Sequence, residues 1–165
     1  MNKFMQIAID EAYEGIKNKD GGPFGSCIVK NGEVIASSHN CVLKNNDPTC
    51  HGEIETIRKA CAKLNTFDLS GCEIYTTGEP CPMCLCACMW AKIDKIYYGC
   101  TIEENAKIGF HDADFAQKLS CQVILSNSKK QSFDGQEGPN YLEQIDHTEC
   151  QKLFQEYKSM HSQKY

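Results

Sequence analysis

No run of lysines or arginines in this chain is long enough to track a phosphate backbone, and 17 basic against 22 acidic side chains leave a formal charge of -5. A large polyanion, nucleic acid included, is therefore not the expected partner. The N-terminus also lacks an uninterrupted apolar stretch. The first residues, Met1 to Met5, run straight into an amphipathic pattern, which reads as neither a signal peptide nor a membrane span. The expected location is the cytoplasm. No composition shift, long linker, internal repeat or low-complexity segment divides the 165 residues, so 1–165 is read as a single domain with a sizeable core. One loop-like tract, Ser126 to Asn140, is rich in Ser, Lys, Gln and Gly and reads as a surface connection.

Cysteine, by contrast, is abundant: there are twelve. In a chain read as cytosolic they are expected to be reduced thiols, which excludes a disulfide scaffold. Cys27, Cys61 and Cys121 sit in apolar periodic segments and are read as small core residues.

Periodicity places the segments. Phe4, Ile7, Ala8 and Ala12 recur at helical spacing until Gly21-Gly22-Pro23 stops the pattern. Phe24 to Lys30 and Glu33 to Ser37 are β-prone runs joined by Asn31-Gly32, the chemistry of a two-residue hairpin turn. Asp47-Pro48-Thr49 precedes a helical stripe at Ile54, Ile57, Cys61 and Leu64, which puts His51 and Glu53 in the first turn. Ile74 to Thr77 reads as a strand, Pro80 and Pro82 mark a helix start, and Lys95 to Cys100 reads as another strand. Strand, helix and strand in so short a span require a crossover and a partly parallel sheet. The expected architecture is α/β, a three-layer α/β/α sandwich around a mixed sheet. A last strand is expected near Val123 to Leu125, then a C-terminal helix, about residues 147–161, with an apolar stripe at Cys150, Leu153, Phe154, Tyr157 and Met160.

Two motifs carry chemistry when read together. His51-Gly52-Glu53 opens one helix, and Pro80-Cys81-Pro82-Met83-Cys84 opens another about thirty residues later. Cysteines at i and i+3 project from one side of a turn, and a helix N-terminus favours their thiolates. With His51 they form a three-ligand set for one zinc ion per chain, leaving a fourth tetrahedral position open to water, as in a catalytic site. Glu53 is read as the base that takes the water proton and later protonates the departing amine. A four-cysteine structural site completed by Cys86 and Cys88 is the alternative. It is disfavoured because Cys86, two positions after Cys84, points to another helix face.

The His-x-Glu followed by Pro-Cys-x-x-Cys resembles the zinc signature of the cytidine deaminase superfamily. Within it, Gly22-Pro23-Phe24-Gly25, the region from Asn40 through Asn46-Asp47-Pro48-Thr49, Glu79-Pro80-Cys81-Pro82-Met83-Cys84, Trp90-Ala91 and Gly109-Phe110-His111-Asp112 look like bacterial guanine deaminases. The resemblance implies hydrolytic deamination of a purine base, guanine to xanthine and ammonia. It implies Asn40 as an amide pairing with the base, Asp112 as a carboxylate accepting from ring N–H groups, and Phe24, Trp90 and Phe110 packing around the ring. It further implies a homodimer whose C-terminal segment is exchanged, bringing Tyr165 to the neighbour's site. The sequence departs from that pattern in two places: Gly52, where those enzymes commonly carry alanine and fungal cytosine deaminase carries glycine, and Leu85-Cys86-Ala87-Cys88, where a glycine and then an alanine are usual. Cytosine or nucleoside deamination, tRNA adenosine deamination and a non-catalytic zinc-binding module stand as the other readings.

Overall fold

The computed structural model describes residues 1–118 and 141–160. Its elements follow in the order α1 (Lys3–Asn18), β1 (Gly25–Lys30), β2 (Glu33–His39), α2 (Val42–Asn45), α3 (Gly52–Leu64), β3 (Cys72–Gly78), α4 (Pro82–Trp90), β4 (Lys95–Cys100), α5 (Ile102–Lys107), α6 (Asp112–Lys118), β5 (Leu142–Gln144) and α7 (His147–Ser159). The five strands form one sheet in the order β2-β1-β3-β4-β5. β1 is antiparallel to both β2 and β3, whereas β3, β4 and β5 run parallel. The expected mixed sheet is present. The hairpin turn falls at Asn31 and Gly32, both with positive φ (51° and 78°), as a turn matched to the strand twist requires.

Alternation along the strands separates two apolar layers. Ile28, Ile74 and Ile96 face a core completed by Ala60 of α3 and by Leu85 and Cys88 of α4. On the opposite face Cys27, Val29 and Tyr75 meet Phe4 and Ile7 of α1, and farther along α1 packs with Cys150, Leu153, Phe154 and Tyr157 of α7. Helices therefore cover both faces, the three-layer sandwich expected. At Gly25 a Cβ would lie 2.0 Å from the Ala8 carbonyl oxygen and 2.6 Å from the Ala12 nitrogen, so α1 rests on β1 backbone to backbone.

Several expectations need correction. The deeply buried face of α3 is Gly52, Glu53, Thr56 and Ala60, while Ile57, Cys61 and Leu64 only flank the core. Small residues win that face because the helix comes close enough for the Thr56 and Ser26 hydroxyls to bond at 2.6 Å. Met160 caps α7 at 52% exposure and is not part of its buried stripe. The expected strand at Val123 to Leu125, the tract Ser126 to Asn140, Cys121 and Tyr165 lie outside the described residues; among those described, β5 is Leu142–Gln144. No helix among the described residues is long and apolar enough to cross a membrane.

Strand directions decide where a site can form. Gly25 pairs with His39, Ser26 with Thr76, and Gly78 with Cys100. The start of β1 and the ends of β2, β3 and β4 thus share one sheet edge, and Phe24, Asn40, Glu79 and Thr101 all leave the sheet there. This is the carboxyl end of the parallel strands, where open α/β sheets bind ligands.

Candidate active site

Two helices begin at this edge. His51 is the N-cap of α3 and Cys81 the N-cap of α4, so the histidine stands just ahead of the first turn and not within it. Pro82, with no N–H to satisfy, occupies the first position of α4. Neither cap side chain bonds a backbone N–H in the usual capping manner, which leaves both positive helix ends facing the site. The imidazole Nδ1 of His51 lies 3.7 Å from the Cys81 sulfur and 3.6 Å from the Cys84 sulfur.

These distances test whether a metal fits. For Zn–S near 2.3 Å and Zn–N near 2.0 Å, a tetrahedral angle sets sulfur and nitrogen about 3.5 Å apart. The observed spacings agree, and the three donor atoms lie within 4.8 Å of one another. Two thiolates and one imidazole also form a donor set that suits zinc. Cys86 is exposed and Cys88 packs in the core, so the alternative four-cysteine site is not assembled.

Charges within the cluster are coupled. The Cys81 thiol is drawn down to about 4, first by a hydrogen bond with Cys84 and then, against burial, by His51. Cys84 moves the other way, pushed well above the ordinary thiol range by burial and by the neighbouring Cys81. Burial lowers His51, but its contact with Cys81 and the negative charges of Cys81, Glu53 and Asp112 outweigh this and raise it to about 9. The cluster concentrates negative charge that a divalent cation neutralises by replacing these protons.

Glu53, the second residue of α3, lies in its first turn at 6% exposure. Burial pushes its carboxyl up to about 7, with His51 opposing. A carboxyl poised there can both accept and return a proton near neutral pH.

Around this cluster lie most of the other residues singled out from the sequence. Asn40 is fully buried; its Oδ1 accepts from Val42 N–H at 3.1 Å, while its Nδ2 has no hydrogen-bond partner among the described residues. Asp112 begins α6 and feels the charges of Cys81 and His51. Burial and then Cys81 raise its carboxyl to about 6, while His51 and a hydrogen bond with Asn105 pull it down. Phe24 meets Phe110 edge-on, centroids 4.9 Å apart, and Phe154 in the same manner at 5.5 Å. Trp90 is not brought to the site by this chain. As the last residue of α4 it lies about 13 Å along the helix axis from Cys81, and it is 85% exposed. Sequence reasoning also missed two buried polar residues. Glu79, just before Pro80-Cys81, accepts from Ile102 N–H at 2.9 Å, and burial lifts its carboxyl to about 7. Asn105 is 1% exposed on α5. The only advance signal for α5 was the Thr-x-x-Glu spacing of Thr101 and Glu104, which does form a capping box.

Comparison with known proteins agrees with this geometry. Residues 1–100 match the family model of the cytidine and deoxycytidylate deaminase zinc-binding region. Guanine deaminase of Bacillus subtilis is 44% identical over 110 residues, covering 67% of this chain and 70% of that protein. The tRNA-specific adenosine deaminase of Aquifex aeolicus is 43% identical over 95 residues, covering 58% of this chain but only 62% of the relative. The X-ray structure of the Bacillus subtilis guanine deaminase superposes with a TM-score of 0.70 at 35% identity, over 100% of this chain and 99% of that one. On the family match, the shared fold and the His and Cys cluster, the chain belongs to the cytidine deaminase-like family of zinc-dependent deaminases.

Proposed function

We propose that the chain deaminates guanine to xanthine and ammonia, with His51, Cys81 and Cys84 holding one zinc ion. The observation that carries this reading is the pairing of a buried, unpartnered amide N–H, Asn40 Nδ2, with the Asp112 carboxylate beside the Cys and His cluster. A donor and an acceptor set in an apolar surround suit the polar edge of a purine. Similarity to a guanine deaminase that spans essentially the whole chain gives further support.

Zinc held by His51, Cys81 and Cys84 would supply a Lewis acid that lowers the pKa of a bound water toward neutrality. Glu53 is placed to accept a proton from the attacking water as the water oxygen adds to the carbon bearing the amino group. The same carboxyl protonates the adjacent ring nitrogen, recovers the second proton from the hydroxyl just added, and delivers it to the amino nitrogen; the carbon–nitrogen bond breaks, ammonia leaves and the carbonyl of the product forms. Asn40 donates to the base, Asp112 accepts from a ring N–H, and Phe24 and Phe110 close the apolar wall. Burial of Glu53 keeps bulk water from competing for these protons.

Similarity to tRNA adenosine deaminases favours a second reading, deamination of adenosine in RNA. The charge of -5 weighs against it, because holding a folded RNA needs phosphate contacts. The discriminating assay is ammonia release from guanine, guanosine, cytosine, cytidine and an adenosine-containing tRNA anticodon stem, with Glu53→Gln as blank. Guanine turnover upholds the reading; turnover of the RNA alone replaces it with the second.

The proposal includes a homodimer. Met83, Cys86 and Trp90 recur at i, i+3 and i+7 along α4 and are all exposed, an apolar stripe suited to a second copy. Exchange of the C-terminal segment, which would bring Tyr165 to the partner's site, belongs to the same proposal. Within one chain α7 packs on its own α1.

A further inference from the structure

Asn105 is buried on α5, and no step above uses it. Its Nδ2 donates to the Glu79 carbonyl oxygen at 3.4 Å, and the Asp112 carboxylate lies close enough for the amide to favour its charged form. Both partners are acceptors, so the amide orientation follows: turned over, it would set its oxygen against a carbonyl and a carboxylate. The Oδ1 is then left beside Gly78, 3.0 Å from where a Cβ would sit, with no hydrogen-bond partner among the described residues. An unpartnered buried acceptor is unfavourable, and an apolar residue would avoid it. What the amide contributes is its N–H group.

The backbone of the same residue shapes the next segment. Its carbonyl oxygen accepts from Ile108 N–H at 3.2 Å and from Phe110 N–H at 3.1 Å, closing the turn that carries Phe110 and Asp112 back to the sheet edge. Glu79, its other partner, lies two residues before Cys81. Asn105 therefore ties the chain entering the Cys81 turn to the chain entering α6.

We propose that Asn105 is a positioning residue: its amide fixes the Asp112 carboxylate relative to the Cys81 turn and so sets the affinity for a base that presents a ring N–H. This rests on the reading of Asp112 as the substrate's acceptor. Because Asn105 acts through Asp112, its loss weakens substrate binding and leaves the chemistry at Glu53 in place.

The test is a double-mutant cycle read as KM and kcat. Asn105→Leu, of similar volume, raises KM for guanine roughly tenfold, the loss of one charge-assisted hydrogen bond, and changes kcat by less than about threefold. In an Asp112→Ala background the same substitution adds nothing further to KM, because the group it positions is gone. Asn105→Ser, which keeps a donor in a smaller side chain, gives an intermediate KM and serves where the leucine variant fails to fold. Additive effects of Asn105→Leu and Asp112→Ala, or an unchanged KM in both Asn105 variants, overturn the proposal. An unchanged KM in Asp112→Ala instead removes the Asp112 reading on which it rests. The cycle runs equally on whichever base releases ammonia, so a failed guanine assignment is distinguishable from a failed Asn105 assignment.

Discussion

Glu53 is one buried carboxyl beside three groups that share protons, and its place follows from two residues of sequence. His51 ends the loop as the N-cap of α3, and the second helical position after it turns inward beside the cysteines without competing as a ligand. Replacing it with glutamine keeps the shape and removes the proton carrier. Glu53→Gln should lose roughly 10³-fold in turnover while still binding one zinc ion per chain and keeping its melting temperature. Ammonia release with metal analysis checks both, and activity within tenfold of the unaltered protein would eliminate Glu53 as the proton shuttle. The candidate cluster was legible beforehand, because His, Glu and paired Cys at these offsets have few other uses, and the fold brings His51, Cys81 and Cys84 together. Asn105 and Glu79 were not, since a lone amide or carboxyl in a helical or turn segment reads as surface until the fold buries it.

Strong periodicity made α1, the β1–β2 hairpin, α3, α4, β4 and α7 readable, and their boundaries moved by only a few residues. Elements without it escaped. β5 has three residues, of which only Leu142 is buried, and a parallel edge strand that short leaves no alternation to detect. α5 and α6 are brief polar helices joined by the turn that the Asn105 carbonyl closes. Within α4 the sequence showed an apolar helix but could not say which side would be left uncovered. The buried side is Cys84, Leu85 and Cys88, and the uncovered one is Met83, Cys86 and Trp90. If that stripe joins two copies, Trp90→Glu should convert a dimer into a monomer at micromolar concentration, because a carboxylate cannot be buried there unpaired. Sedimentation equilibrium decides it: a dimer that survives the substitution places the interface elsewhere, and an unaltered protein that sediments as a monomer removes the dimer.

Stability of the entire chain should carry a pH signature from a network away from the catalytic cluster. His39 sits between two carboxylates, its Nδ1 3.0 Å from Glu11 and its Nε2 2.9 Å from Asp20, so α1, the end of β2 and the turn before β1 are fastened at one point. Lys44 also reaches Asp20 at 3.1 Å, and Lys59 adds positive charge near Glu11. The Glu11 bond, against burial and with help from Asp20, raises the imidazole above its ordinary 6.5. The His39 bond lowers Glu11 below 4.5 despite burial. Burial raises Asp20, yet His39 and Lys44 outweigh it and bring it below 3.8. The signs then fix a window. The histidine contribution is complete below pH 6.5 and fades as pH rises through its raised folded value; the carboxylate contributions are complete above pH 4.5 and fade as pH falls. All three act together between about pH 4.5 and 6.5. His39→Gln leaves two half-buried carboxylates without their shared cation, at a cost on the order of 2 kcal/mol near pH 5.5. As pH rises above 6.5 and through the raised folded value, toward a second measurement near pH 9, the histidine contribution fades and the penalty should shrink. Comparing urea unfolding of the variant and the unaltered protein at the two pH values cancels every other titrating group, the Cys and His cluster included. A penalty equal at both would mean that His39 is neutral in the folded chain.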